Sequence, residues 1–224
     1  MIEVELEGLT GRFLRICELI SKLAYANLLW ILFTLLGLGI FGFMPATVAL
    51  FTVTRKWVMG DRDIPVFKTF WTTYRQEFFK STFFGVVLFA IGYIIYIDLA
   101  FSPTGGLFTL LRAALFICGV MYVVLLLYIF PIYVHYDWNK RLYIKYALLI
   151  GISHPHYTFV LLAGIAALYY LCISIPGIIP FFSVSLLSYM MMWFVYKVIQ
   201  KMELAQSIGK DKEVEAQSVE VVEA

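Results

Sequence analysis

Residues 37–59 read GLGIFGFMPATVALFTVTRKWVM, and the fold turns on whether this stretch brings the chain back to the side it left. Gly37, Gly39 and Gly42 loosen the end of the apolar run 23–43, because glycine favours turns over continuous helix. Pro45 suits the first turn of a new helix, where its missing N–H costs nothing. Val48, Leu50, Phe51 and Val53 then give an apolar helix that meets Arg55, Lys56 and Trp57. A bilayer core of about 30 Å needs about 20 residues at about 1.5 Å each, so residues 45–59 are short for a span. The charges argue for a return all the same. Without one, Arg12, Arg15 and Lys22 would face the side opposite the other basic loops. The segment is therefore expected to be a short or re-entrant returning helix, tolerated where other helices cover its backbone polar groups.

Working outward, apolar runs fill residues 23–43, 79–101, 107–133, 157–175 and 181–195. With the return in place, each of the 17 Lys and Arg residues except Arg112 falls on one side. That side is cytoplasmic, since short basic loops are retained there. The chain is 62% hydrophobic and 14% charged, whereas a soluble globule carries about 25% charge. Lipid is the simplest solvent for it. The expectation is an all-α polytopic transmembrane helix bundle of five full spans plus one short or re-entrant helix. One domain covers residues 1–202, and a charged, mobile tail covers 203–224. Both termini are expected to be cytoplasmic. Glu3, Glu5 and Glu7 stand where a cleavable signal would need positive charge, so the first run is read as a retained helix.

Amphipathic stretches precede the hairpins. In residues 8–22, Leu9, Phe13, Ile16 and Ile20 oppose Arg12, Arg15, Glu18 and Lys22; in 65–80, Phe67, Phe70, Trp71, Tyr74 and Phe78 oppose Lys68, Arg75 and Lys80. That is the pattern of helices in the headgroup plane. Residues 142–152 make a third, and Pro155 breaks the chain after it. Pro176, Gly177 and Pro180 form the turn between the last two spans. No residue pattern recurs well enough to establish an internal repeat.

Four sets of residues could carry function. Asp98 and Arg112 flank a Pro/Gly turn and could pair across it within the membrane, where a charge usually pairs or marks a site. Arg55, Lys56, Trp57, Trp71, Tyr74 and Arg75 form the densest basic-aromatic zone, suited to anionic lipid or to a docked partner. His135, Asp137, His154 and His156 are weak metal-ligand candidates, because no HExxH-type spacing fixes their geometry. Cys17, Cys118 and Cys172 stand singly and are expected to be packing residues. No nucleotide loop occurs, and the basic residues hug membrane ends rather than one nucleic-acid face.

The blocks Asn27-Leu28-Leu29-Trp30, Pro45-Ala46-Thr47, Arg55-Lys56-Trp57 and Pro65-Val66-Phe67 followed by Phe70-Trp71 resemble the YesL family of bacterial membrane proteins, defined by a domain of unknown function. The resemblance runs to about residue 202. It implies a Gram-positive plasma membrane protein, often encoded beside carbohydrate importers, and supplies no catalytic residues. The resulting expectation is a non-catalytic accessory or interaction subunit without cofactor, in contact with the bilayer and with a sugar ABC importer or other membrane protein. A small solute transporter or channel is the alternative, and an intramembrane metal-dependent hydrolase the third reading.

Overall fold

A computed structural model of the protein describes residues 9–102, 105, 107–136, 140–153 and 155–223. They form α1 (Leu9–Leu36), α2 (Ile40–Val58), α3 (Val66–Phe101), α4 (Leu107–His135), α5 (Lys140–Ser153), α6 (Pro155–Ser174), a 3-10 turn (Pro176–Ile178) and α7 (Ile179–Glu223). Among the described residues there is no strand. Five segments are long and apolar enough to cross a bilayer: Phe13–Leu36, Val66–Phe101, Phe108–His135, Pro155–Ser174 and Pro176–Met202. The protein is an all-α membrane bundle.

The deciding stretch differs from expectation at its start. The chain turns at Leu38 and Gly39, both with positive φ (60° and 73°), and α2 begins at Ile40. A Cβ added to Gly37 would lie 2.3 Å from the Gly42 Cα, so the two helix ends abut backbone to backbone. Pro45 therefore lies inside α2, not in its first turn. Its ring removes the amide that would bond to the Phe41 carbonyl. The Thr82 hydroxyl of α3 donates to that carbonyl instead, at 3.0 Å. A neighbouring helix thus repairs the gap, and α2 reaches 19 residues.

The chain does return. Trp57, near the end of α2, shares a pocket with Leu19 and Lys22 of α1. Lys22 Nζ donates to the Arg62 carbonyl at 2.7 Å and lies 3.7 Å from the Asp63 carboxylate. The loop after α2 is thereby fastened to the first half of α1.

Eleven of the 19 residues of α2 are buried, because the helix lies between two cores. Leu23, Ala26, Leu29 and Phe33 of α1 pack with Ala46, Ala49, Leu50 and Val53 of α2 and Phe70 and Tyr74 of α3. On the other side, Phe51 stacks on Phe130 of α4 at 5.6 Å. There it joins Tyr128, Ile129, Ile132, Leu161, Val195 and Ile199. α5 is not a free interfacial helix. Its Tyr143, Ala147 and Ile150 are buried in the second core, and a Cβ on Gly151 would meet Val124 of α4 at 2.3 Å.

The first two amphipathic stretches are continuous with the spans they feed, in α1 and α3, whereas the third forms the separate helix α5. α3 runs 36 residues, about 54 Å at 1.5 Å per residue. α6 begins at Pro155 and α7 at Ile179 just before Pro180. The backbone of residues 203–223 continues α7 as helix; the side chains of that stretch lie outside the described set.

Candidate functional site

Apolar side chains gain little from leaving lipid for one another, so packing and polar ties hold membrane helices together. In this bundle the ties are specific. Asn27 of α1 is fully buried, and its carboxamide spans one rung of α7. Nδ2 donates to the Pro180 carbonyl at 2.7 Å, while Oδ1 accepts from the Val184 and Ser185 amides at 3.1 and 3.0 Å. In an uninterrupted helix the Val184 amide would bond to the Pro180 carbonyl, so Asn27 engages both halves of that rung. A side chain inserted into a helical ladder is a recognised cause of local bending. Next to it, the Ser185 hydroxyl oxygen is buried without a partner among the described residues, and Ser188 Oγ donates to the Ser185 carbonyl at 2.9 Å.

A second knot joins α4, α5 and α6. The Tyr128 and Thr158 hydroxyls lie 2.8 Å apart, and Thr158 donates to the Gly151 carbonyl at 3.2 Å. Single ties add to these. Trp30 Nε1 donates to Thr47 Oγ1 at 3.1 Å. Tyr74 and Tyr122 donate to the Phe33 and Leu88 carbonyls at 3.0 and 2.8 Å. Tyr133 donates to Glu77 at 2.6 Å. These polar groups close on one another and on the backbone, and their chemistry is that of a frame.

Sequence reasoning passed over most of these residues. Asn27 entered it only as part of a family-like block, although a carboxamide inside an apolar span is itself a signal for a helix–helix contact. Tyr128 and Thr158 offered none, since either could equally have faced lipid or interface.

The residues nominated from sequence are distributed differently. Asp98 and Arg112 are both exposed and are not among the ion pairs of the described residues, which join Lys22 to Glu18 and Asp63, and Lys80 to Glu77. Arg112 instead lines an open groove with Leu99, Ala113, Phe116 and Ile117. Of the basic-aromatic zone, Trp57 and Tyr74 are core residues, 3% and 7% exposed, because the helix faces that carry them pack against α1. Arg55 Nη1 donates to the Val134 carbonyl at 2.7 Å and so ties α2 to the last turn of α4. Lys56 is half-buried, whereas Trp71 and Arg75 are exposed. The rings of His135 and Tyr196 lie 5.9 Å apart, and those of His156 and Tyr157 4.3 Å apart. Asp137 and His154 lie outside the described residues, among which no group of three His, Cys, Asp or Glu side chains is placed to hold a metal. Cys17 and Cys118 are exposed rather than packed, and Cys172 is half-buried.

Comparison with known proteins places this architecture. The family model described as "Protein of unknown function, DUF624" matches residues 23–99, the segment that carries Asn27, the α1–α2 turn and most of α3. Three Bacillus subtilis (strain 168) proteins are similar along nearly the whole chain. The uncharacterized protein YteU is 53% identical over 201 residues, covering 89% of this chain and 90% of the relative. YesV, also uncharacterized, is 38% identical over 189 residues, covering 84% and 91%. For the uncharacterized protein YesL the values are 33% over 194 residues, 87% and 92%. No solved structure matches. Identity at this level, sustained over nearly the full length of each relative, shows that the chain belongs to the DUF624 family of YesL-like proteins.

Proposed function

We propose that this protein is a non-catalytic accessory subunit of the bacterial plasma membrane, with both termini cytoplasmic, that docks on another membrane protein. A sugar ABC importer is the partner class that the family resemblance suggests. The observation that carries this reading is the outward face of the first half of α3. Trp71 is 44% exposed, yet its ring is held 6.4 Å from that of Tyr74 and 5.5 Å from that of Phe33. Tyr74 is in turn fastened to α1 through its hydroxyl. Phe67, Lys68 and Arg75 are exposed on the same helix. A fixed aromatic flanked by a forked cation loses little freedom on binding and makes an effective interface anchor.

A small transporter or channel is the second reading. It is favoured by the buried polar contacts of Asn27 with the Pro180 carbonyl and the Val184 and Ser185 amides, near the partnerless Ser185 hydroxyl, since polar groups inside apolar spans often mark intramembrane sites.

The test is co-purification of importer subunits from native membranes with tagged protein carrying Trp71→Leu and Arg75→Lys. Docking through α3 requires that the double variant insert normally and lose those subunits. An unchanged set of importer subunits would count against it.

A further inference from the structure

The long helix α3 is a ruler for the depth of the α1–α2 hairpin. Thr82 of α3 bonds the Phe41 carbonyl at 3.0 Å, and a Cβ on Gly85 would collide with Met44 of α2. The start of α2 therefore stands beside residues 82–85 of α3. Lys80 lies just before that level with its side chain 70% exposed, and Arg75 is exposed earlier on the same helix. Long cationic side chains stay within snorkelling reach of water, so this level of α3 is close to the side of the basic loops. Beyond Thr82, no charge occurs until Asp98, 16 positions on. That stretch rises about 24 Å along the helix, and about 18 Å even at a tilt of about 40°. Over this length α3 packs on α4: the Tyr122 hydroxyl donates to the Leu88 carbonyl at 2.8 Å and lies 2.7 Å from where a Cβ of Gly92 would stand.

The hairpin tip is built for lipid. Leu35, Leu36, Leu38 and Ile40 point outward, Leu38 and Ile40 being 83% and 80% exposed. A turn is tolerated in hydrocarbon only where its backbone polar groups are satisfied and covered. The amides of Gly37, Leu38, Gly39 and Ile40 donate to the Phe33, Leu35, Thr34 and Leu38 carbonyls at 2.9–3.1 Å. Gly37 and Gly42 are buried, and the Tyr74 hydroxyl lies 2.6 Å from where a Cβ of Gly37 would stand.

We propose that α1 and α2 form a re-entrant hairpin, which enters and leaves on the side of the basic loops and ends within the hydrocarbon, short of water on the far side. Beside it, the second half of α3 crosses the remaining thickness with α4.

The test uses the full-length chain with its three native cysteines replaced by serine and a single cysteine introduced as Leu38→Cys or Thr104→Cys. Each is labelled with a nitroxide in detergent and returned to vesicles of dioleoyl phosphatidylglycerol and dioleoyl phosphatidylcholine. At position 38 the nitroxide should be relaxed by oxygen and little by a water-soluble nickel chelate, and at position 104 the order should reverse. In intact cells, a membrane-impermeant maleimide should label position 38 about tenfold or more slowly than position 104, because a thiol in apolar surroundings forms little thiolate. Should Leu38→Cys fail to fold, Leu36→Cys, exposed at the end of α1, carries the same expectations. Strong relaxation by the nickel chelate at position 38 would overturn the proposal, and intact-cell labelling as fast as at position 104 would show a full crossing instead. A nitroxide at position 38 shielded from oxygen and nickel alike would overturn it in favour of a second copy of the chain seated on the tip.

Discussion

α2 and α6 are nearly equal in length, 19 and 20 residues, yet eleven residues of α2 are buried and only Thr158 and Leu161 of α6. The less buried helix is the more uniformly apolar one. α6 turns Phe159, Val160, Tyr169, Tyr170 and Ile173 outward, where lipid accepts them at no cost. α2 carries Pro45, three threonines, Arg55 and Lys56, a set that lipid would not tolerate uncovered. Thr47, Thr52 and Thr54 each donate to a carbonyl of their own helix, while Thr82 of α3 bonds the carbonyl freed by Pro45 and Arg55 Nη1 bonds the Val134 carbonyl of α4. In a bilayer, apolarity marks the surface; a helix with polar interruptions is the one to look for at the centre.

The largest effect expected from that contrast belongs to Asn27. Asn27→Leu removes the hydrogen bonds to the Pro180 carbonyl and to the Val184 and Ser185 amides at a fully buried position. At about 0.5–1.5 kcal/mol per hydrogen bond lost, the thermal midpoint in detergent should fall further than for any other single change. A variant that melts with wild type would remove the clamp from the account.

The α1–α2 turn sharpens the comparison at the next scale. Gly37→Ala places a methyl against the Gly42 backbone and should cost about 1–3 kcal/mol by overpacking. Gly39→Ala meets nothing within 4 Å and bears only the cost of positive φ, about 1–2 kcal/mol. Equal losses at the two positions would mean that close approach is not what fixes this turn. Tyr74→Phe comes lower still, losing one hydrogen bond to Phe33 worth about 0.5–1.5 kcal/mol. Smallest are Asp98→Ala and Arg112→Ala. Both side chains are exposed and form no ion pair among the described residues, so each should shift stability by about 0–1 kcal/mol. A mutual dependence, in which a charge swap rescues two damaging single changes, would show that they pair after all.

The helix content, the spans and the return of the chain were legible because apolar length and charge placement respond directly to the bilayer. Pro45 misled because a proline within a helix and one at its start look alike in sequence. Only Thr82, 37 positions further along the chain, decides between them by bonding the freed Phe41 carbonyl. Trp57 and Tyr74 looked like docking residues for a related reason. An aromatic-basic stripe that faces a partner has the same periodicity as one that packs on its own bundle, and here Phe33 is the residue that receives it. The knot of Tyr128, Thr158 and Gly151 joins three helices through residues common in any apolar segment, so no local pattern betrays it.

The claim on which everything else rests is that α2 brings the chain back beside α1. In a chain with Cys17, Cys118 and Cys172 replaced by serine, single cysteines at Ser21, Asp63 and Thr104 can be labelled with a membrane-impermeant maleimide in intact and permeabilised cells. The account predicts that positions 21 and 63 label only after permeabilisation and that position 104 labels in intact cells. Labelling of one, and only one, of positions 21 and 63 from outside would contradict it.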